Sequence, residues 1–183
     1  MSALLRFEDV ALQRGGRLLF EGLTFELNPG ERLQVAGPNG SGKSSLLRLA
    51  AGLLRPERGR VDRSPLALAD DAPALDRELP LGQALQFWDR APEQSMEALG
   101  LAHLALVPVR LLSSGQLKRA TLARVAASKA PLWLLDEPAN GLDADGLARL
   151  EAAMAAHRAA GGAILAASHQ QIALADAKLV ALG

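Results

Sequence analysis

Residues 37–45 read Gly-Pro-Asn-Gly-Ser-Gly-Lys-Ser-Ser, and no other stretch restricts the possible folds as sharply. The pattern G-x-x-x-x-G-K-[ST] is filled by Gly37, Gly42, Lys43 and Ser44, and its chemistry works only where a strand delivers the loop and a helix leaves it. Arg32 to Ala36 reads as that strand, and Lys43 to Gly52 as that helix, with Leu46, Leu47 and Leu49 on its buried side. Gly37, Gly40 and Gly42 allow dihedrals closed to other residues, so that successive N–H groups converge on phosphate oxygens. The start of the helix adds its positive dipole end. Lys43 is suited to reach the β and γ phosphates, and the Ser44 hydroxyl to complete a Mg²⁺ shell. The candidate nucleotide-binding set is therefore Gly37, Pro38, Asn39, Gly40, Ser41, Gly42, Lys43, Ser44 and Ser45. A mere glycine turn capped by serine would require neither the strand nor the helix.

The 183 residues fit one domain, residues 1–183, long enough to bury a real core. Lys plus Arg and Asp plus Glu number 20 each, so no broad basic field is available for nucleic acid or an anionic bilayer. Cys is absent, which excludes disulfides, thiolate zinc sites, a Cys nucleophile and covalent c-type haem attachment. The first ten residues carry charge and lack a signal-peptide core. Nothing approaches the roughly 18 unbroken apolar residues of a spanning helix. Any work on a membrane is expected to pass through a partner.

Alternation predicts a β-hairpin from Leu4–Leu12 and Leu18–Leu27 around Arg14-Gly15-Gly16-Arg17. From Pro65 to Pro92 the chain turns Asp-, Ala- and Pro-rich, followed by helical patterns at Leu81–Arg90 and Pro92–Leu99. This predicts a small helical subdomain, roughly residues 72–127, inserted in an α/β core. Ser114–Ala127 and Asp143–Ala160 read as helices, and Leu132–Leu135, Ala163–Ala167 and Leu179–Leu182 as apolar strands. Strands alternating with helices predict a parallel sheet covered on both faces.

Asp136-Glu137 follows the strand Leu132–Leu135, at the sheet edge where ligands of open α/β folds bind. Asp136 is suited to hold Mg²⁺, and Glu137 to act as general base on the attacking water. His169 follows another apolar strand and is a candidate for contacting the γ-phosphate or orienting Glu137. His103 and His157 lack such company and read as solvated. Ser113 with Gln116 fits the capping box of the following helix, and a capped, exposed helix start is itself an anion site. Asp143 fits an N-cap.

In this order, GPNGSGKSS, LSSGQ (Leu112–Gln116), LWLLDEP (Leu132–Pro138), NGLD (Asn140–Asp143) and Ser168-His169, the motifs resemble the ATP-binding cassette of ABC transporters along the whole chain. The resemblance implies a RecA-like P-loop NTPase core with an N-terminal antiparallel β subdomain and the inserted helices. It implies ATP hydrolysis with Mg²⁺ through Lys43, Glu137 and His169, with Ser44 and Asp136 on the metal. It also implies a head-to-tail dimer with a second copy, in which Ser113, Ser114, Gly115 and Gln116 cover the other subunit's ATP and Asp143 lies in the loop crossing between sites. Within the superfamily, LLRLAAGLLRPERGRV (Leu46–Val61), Ser114 in the signature and SHQQ (Ser168–Gln171) resemble the ATPase subunit of cytochrome c biogenesis haem exporters. That likeness implies work at the cytoplasmic face of a bacterial inner membrane, through membrane-spanning permease subunits, to energise release of a haem-loaded periplasmic chaperone. Haem would not be a ligand of this chain.

Three positions depart from the pattern. Arg14 stands where an adenine-stacking aromatic is usual, and a guanidinium plane can serve that role with loose base selectivity. Asp70 to Pro73, DDAP, offers no glutamine to link Mg²⁺ to the helices, which makes Asp71 the candidate substitute. Ser114 replaces a signature glycine. A small GTPase would need an N-K-x-D pattern that is absent, and soluble cassettes of translation or DNA repair normally carry paired cassettes or coiled-coil inserts. A cassette for another transported substrate is the remaining alternative.

Overall fold

The computed structural model describes residues 2–168 and 177–182. Its N-terminal part is an antiparallel sheet. Strands β1 (Leu5–Arg14) and β2 (Arg17–Leu27) pair through a two-residue turn, Gly15-Gly16, with φ of 56° and 77°. Positive φ at both turn positions matches the twist of the flanking strands. Phe7, fully buried, stacks on Phe25 at 4.5 Å between centroids. A third strand, β4 (Arg58–Arg63), runs antiparallel to β1 on its other edge.

The second sheet is wholly parallel, in the order β5-β6-β7-β3-β8, from β3 (Arg32–Ala36), β5 (Leu66–Ala69), β6 (Leu132–Asp136), β7 (Ala163–Ala167) and β8 (Lys178–Ala181). Every residue of β6 and β7 is buried, as a sheet covered on both faces requires. Because successive side chains point to opposite faces, β6 divides its residues between two cores. Leu132 and Leu134 join Phe7, Leu27 and the buried face of α1 (Lys43–Ala50), namely Leu46, Leu47 and Leu49. Trp133 and Leu135 join Leu150 and Met154 of α5 (Ala144–Ala159) and the helices that follow β5. Those are α2 (Leu81–Gln86), α3 (Glu93–Ala98) and α4 (Ser114–Ala127), with 3₁₀ turns at Ala102–Leu104 and Val109–Leu111.

The hairpin, the parallel sheet and α4 stand as the sequence predicts. Strands β4 and β5 were not expected. Arg58–Arg63 is mostly exposed and charged, so it has no apolar alternation to read, and β5 is four residues of Leu and Ala that carry no strand preference. The helices α2 and α3 are shorter than their apolar patterns.

His157 corrects the solvated reading. It lies on α5 half-buried, stacked on Trp133 at 3.9 Å and 11°. Burial pushes its pKa below the ordinary 6.5, outweighing hydrogen bonds with the backbone of Ala163 and Pro131. The folded protein therefore keeps this imidazole neutral at a pH where the unfolded chain protonates it. Stability is expected to fall as pH drops below about 6.5, until the folded form protonates too, with a slope of at most about 1.4 kcal/mol per pH unit. Thermal melting between about pH 7 and pH 5 should show a steeper loss for the native chain than for His157→Gln. Parallel curves for the two proteins would remove His157 as the cause. His103, by contrast, is exposed as expected.

Candidate functional site

The loop between β3 and α1 is built around its glycines. A side chain on Gly37 would run into the carbonyl of Leu182 and the hydroxyl of Ser41, the latter at 2.6 Å. Gly42, at φ 105°, is the N-cap of α1 and supplies no side-chain cap, so the first-turn amides keep no intrahelical partner. Lys43 is 7% exposed and donates to the carbonyls of Gly37 at 2.7 Å and Pro38 at 3.1 Å. The loop thus holds its own lysine in place. The buried Ser41 hydroxyl makes no hydrogen bond.

Asp136, at the end of β6, is 8% exposed and hydrogen-bonded by the Ser44 side chain, while its Oδ1 has no partner. Burial pushes its pKa up, and the charges of Asp71 and Glu137 push it further. An orphaned, buried carboxylate oxygen beside a serine hydroxyl is the donor set a hard divalent cation completes. Glu137 follows at φ 45°, a left-handed conformation uncommon for residues with a Cβ. Its N–H donates to the Ala167 carbonyl at 2.9 Å and its carbonyl accepts from Asn140 N–H at 3.2 Å. These bonds hold the turn that brings Glu137 to the cleft.

That cleft, about 450 Å³, is lined by Arg14, Leu19, Asn39, Gly40, Gly42, Lys43, Ser44, Ser45 and Glu137. Residues from two motifs, the glycine loop and the end of β6, meet the hairpin there. Arg14 enters from the hairpin turn, exposed, and Leu19 from β2 packs close to Gly42. Leu19 gave no signal in the sequence, because one apolar residue in an alternating strand looks like any other. Asp71 is exposed, and its charge acts on Asp136.

A second, smaller cleft of about 160 Å³ is lined by Ser113, Gly115, Gln116, Arg119, Gly141, Leu142 and Asp143. The two motif segments pack closely, since a Cβ on Gly115 would lie 3.1 Å from the Gly141 carbonyl. The capping box of α4 is complete: Ser113 Oγ accepts from Gln116 N–H at 3.2 Å, and Gln116 Oε1 accepts from Ser113 N–H at 2.9 Å. The hydroxyl proton of Ser113 remains a donor. Asp143 caps α5, accepting from Gly146 N–H at 2.8 Å. Ser114 is exposed beside this cleft and does not line it. Ser168 is buried, while His169 lies outside the described residues. Among the described residues, no helix is long and apolar enough to cross a membrane.

Residues 20–140 match the family model described as ABC transporter. The chain is 54% identical to the cytochrome c biogenesis ATP-binding export protein CcmA of Sphingopyxis alaskensis, over 100% of this chain and 98% of that protein. It is 54% identical to CcmA of Novosphingobium aromaticivorans, covering 95% and 93% of the two chains. The CcmA of Zymomonas mobilis shares 50% identity over 99% of this chain and 85% of its own length. Among solved structures, the ATP-binding subunit of an ABC transporter superposes with a TM-score of 0.88 at 23% identity, covering 98% of this chain and 85% of that one. A bacterial Atm1-family ABC exporter with ATP bound gives 0.86 at 21% identity, over 98% of this chain and 36% of that one.

Proposed function

The chain belongs to the ABC transporter family, and from that premise we propose that it is the ATP-binding and hydrolysing subunit of a cytochrome c biogenesis export complex. It works there with membrane permease subunits, energising release of a haem-loaded periplasmic chaperone from a peripheral position on the cytoplasmic face of the inner membrane. One observation carries the enzymatic part: Lys43, Ser44 and Glu137 line a single cleft, with Asp136 hydrogen-bonded to Ser44 behind it.

In the mechanism this arrangement supports, the loop amides and Lys43 take the β and γ phosphates, and Lys43 exchanges its two carbonyl partners for phosphate oxygens. Ser44 and Asp136 would hold Mg²⁺, which neutralises charge on the phosphate oxygens when bound. Glu137 accepts a proton from the water that attacks the γ-phosphorus, while the bond from that phosphorus to the bridging oxygen breaks and ADP leaves. Arg14, which lines the cleft with Leu19, is proposed to stack on the base, with Leu19 as the apolar wall. His169 is proposed to orient that water or touch the γ-phosphate.

Ser113, Gly115 and Gln116 line a different cleft from Lys43 within one subunit, with Ser114 exposed beside it, and this start of α4 is the proposed anion-binding end. A second copy docking head-to-tail would bring this end over its ATP, with Asp143 in the segment between the two sites. Glu137→Gln protein with Mg-ATP is therefore expected to dimerise in light scattering, and the nucleotide-free protein to stay monomeric. Adding Ser113→Asp keeps an N-cap of similar quality but opposes the trans phosphate. It should abolish the dimer and leave ATP binding intact. A trapped dimer indifferent to Ser113→Asp would remove this segment from the site.

A further inference from the structure

We propose that Lys118 is a positioning residue for hydrolysis, clamping the peptide that delivers Glu137. The proposal rests on the reading of Glu137 as the base. Lys118 lies on α4, two residues after Gln116, and its Nζ donates to the backbone carbonyl of Asp136 at 3.2 Å. Strand β5 makes its last pair with Leu135, through Ala69, so no amide of a neighbouring β5 residue pairs opposite Asp136. The lysine fills that gap in the ladder, satisfying an acceptor that burial would otherwise penalise.

The peptide between Asp136 and Glu137 is thereby held at both ends. Lys118 binds its carbonyl, and the Ala167 carbonyl takes its N–H at 2.9 Å. Glu137 needs this, because its φ of 45° is a conformation that persists only where surrounding structure enforces it. Lys118 also stands in the combined field of Asp70, Asp71, Asp136 and Glu137. It reaches the Asp136 carbonyl, and the carboxylate Oδ1 is left without a partner, so the lysine lowers the local negative potential without consuming the atom suited to a metal. The same helix begins with Ser113 and Gln116, so a displacement of α4 would reach Glu137 through Lys118.

The test uses the full chain in its membrane complex. Lys118→Met removes donor and charge at similar length; Lys118→Gln, neutral and shorter, is the second variant should Met not be tolerated in the fold. Either is expected to lower kcat on the order of 10- to 100-fold, the scale of a misplaced catalytic group, with KM for ATP within about twofold. Lys118→Arg should restore most of the loss. Calorimetric titration of Mg²⁺ into the ATP-bound chain should show tighter binding in the neutral variants, because a nearby positive charge is gone. In single-turnover assays, Lys118→Met added to Glu137→Gln should lower the rate no further, since both act through one group. Unchanged kcat in the neutral variants, or a full additive loss in the double variant, would overturn the proposal. Normal turnover of Glu137→Gln alone would instead overturn the assignment of the base.

Discussion

Replacing Glu137 by Gln is expected to lower ATP turnover by on the order of 10² to 10⁴, while ATP still binds. The amide keeps the size of the carboxylate and the backbone turn at φ 45°, so the cleft retains its shape. What is lost is the ability to take a proton from water, and with it the preferred direction of attack. Binding should persist because the glycine loop and Lys43, proposed to contact the phosphates, lie on a different element. Phosphate release measured beside calorimetric ATP affinity separates the two quantities. Near-normal turnover in the variant would assign the base elsewhere; His169 is the next candidate by its position after β7.

Lys43→Ala should weaken ATP binding by roughly 10- to 100-fold, the value of one charge-assisted hydrogen bond to phosphate, and reduce hydrolysis at least as much. This ammonium is nearly buried and rests on the carbonyls of Gly37 and Pro38. Those bonds offset the cost of burying the charge, and phosphate must replace them. The net effect is thus smaller than that of creating an ion pair from water. Loss of a contact made in the bound state should raise KM, and kcat should fall to the extent that the ammonium holds the phosphate oxygens more strongly in the transition state. Unchanged ATP affinity by calorimetry would contradict the role assigned to Lys43.

The difference between Glu137 and Lys118 marks how far the sequence can be read. Glu137 and Lys43 are legible because their chemistry is tied to local order: a loop between strand and helix, a carboxylate pair after an apolar strand. The capping box at Ser113 and the cap at Asp143 are legible for the same reason, being contacts between residues three apart. Lys118 contacts a carbonyl 18 residues away, and nothing local distinguishes it from any exposed helix lysine. Leu19 joins the cleft only because the hairpin folds over the loop. The burial of His157 comes from Trp133 on a neighbouring strand, a contact that no helical pattern encodes. The strands β4 and β5 carry no local signal because their place depends on partners, β1 and β6, that lend them order.

If ATP hydrolysis by this chain drives cytochrome c biogenesis, covalently bound haem in c-type cytochromes reports on it directly. In the organism that encodes the chain, deletion should abolish haem-bearing c-type cytochromes while their apoproteins are still made. The native chain should restore them, and Glu137→Gln, expressed at the same level in the membrane, should not. Normal c-type cytochromes in the deletion strain, or full restoration by Glu137→Gln, would show that ATP hydrolysis by this chain does not drive cytochrome c biogenesis.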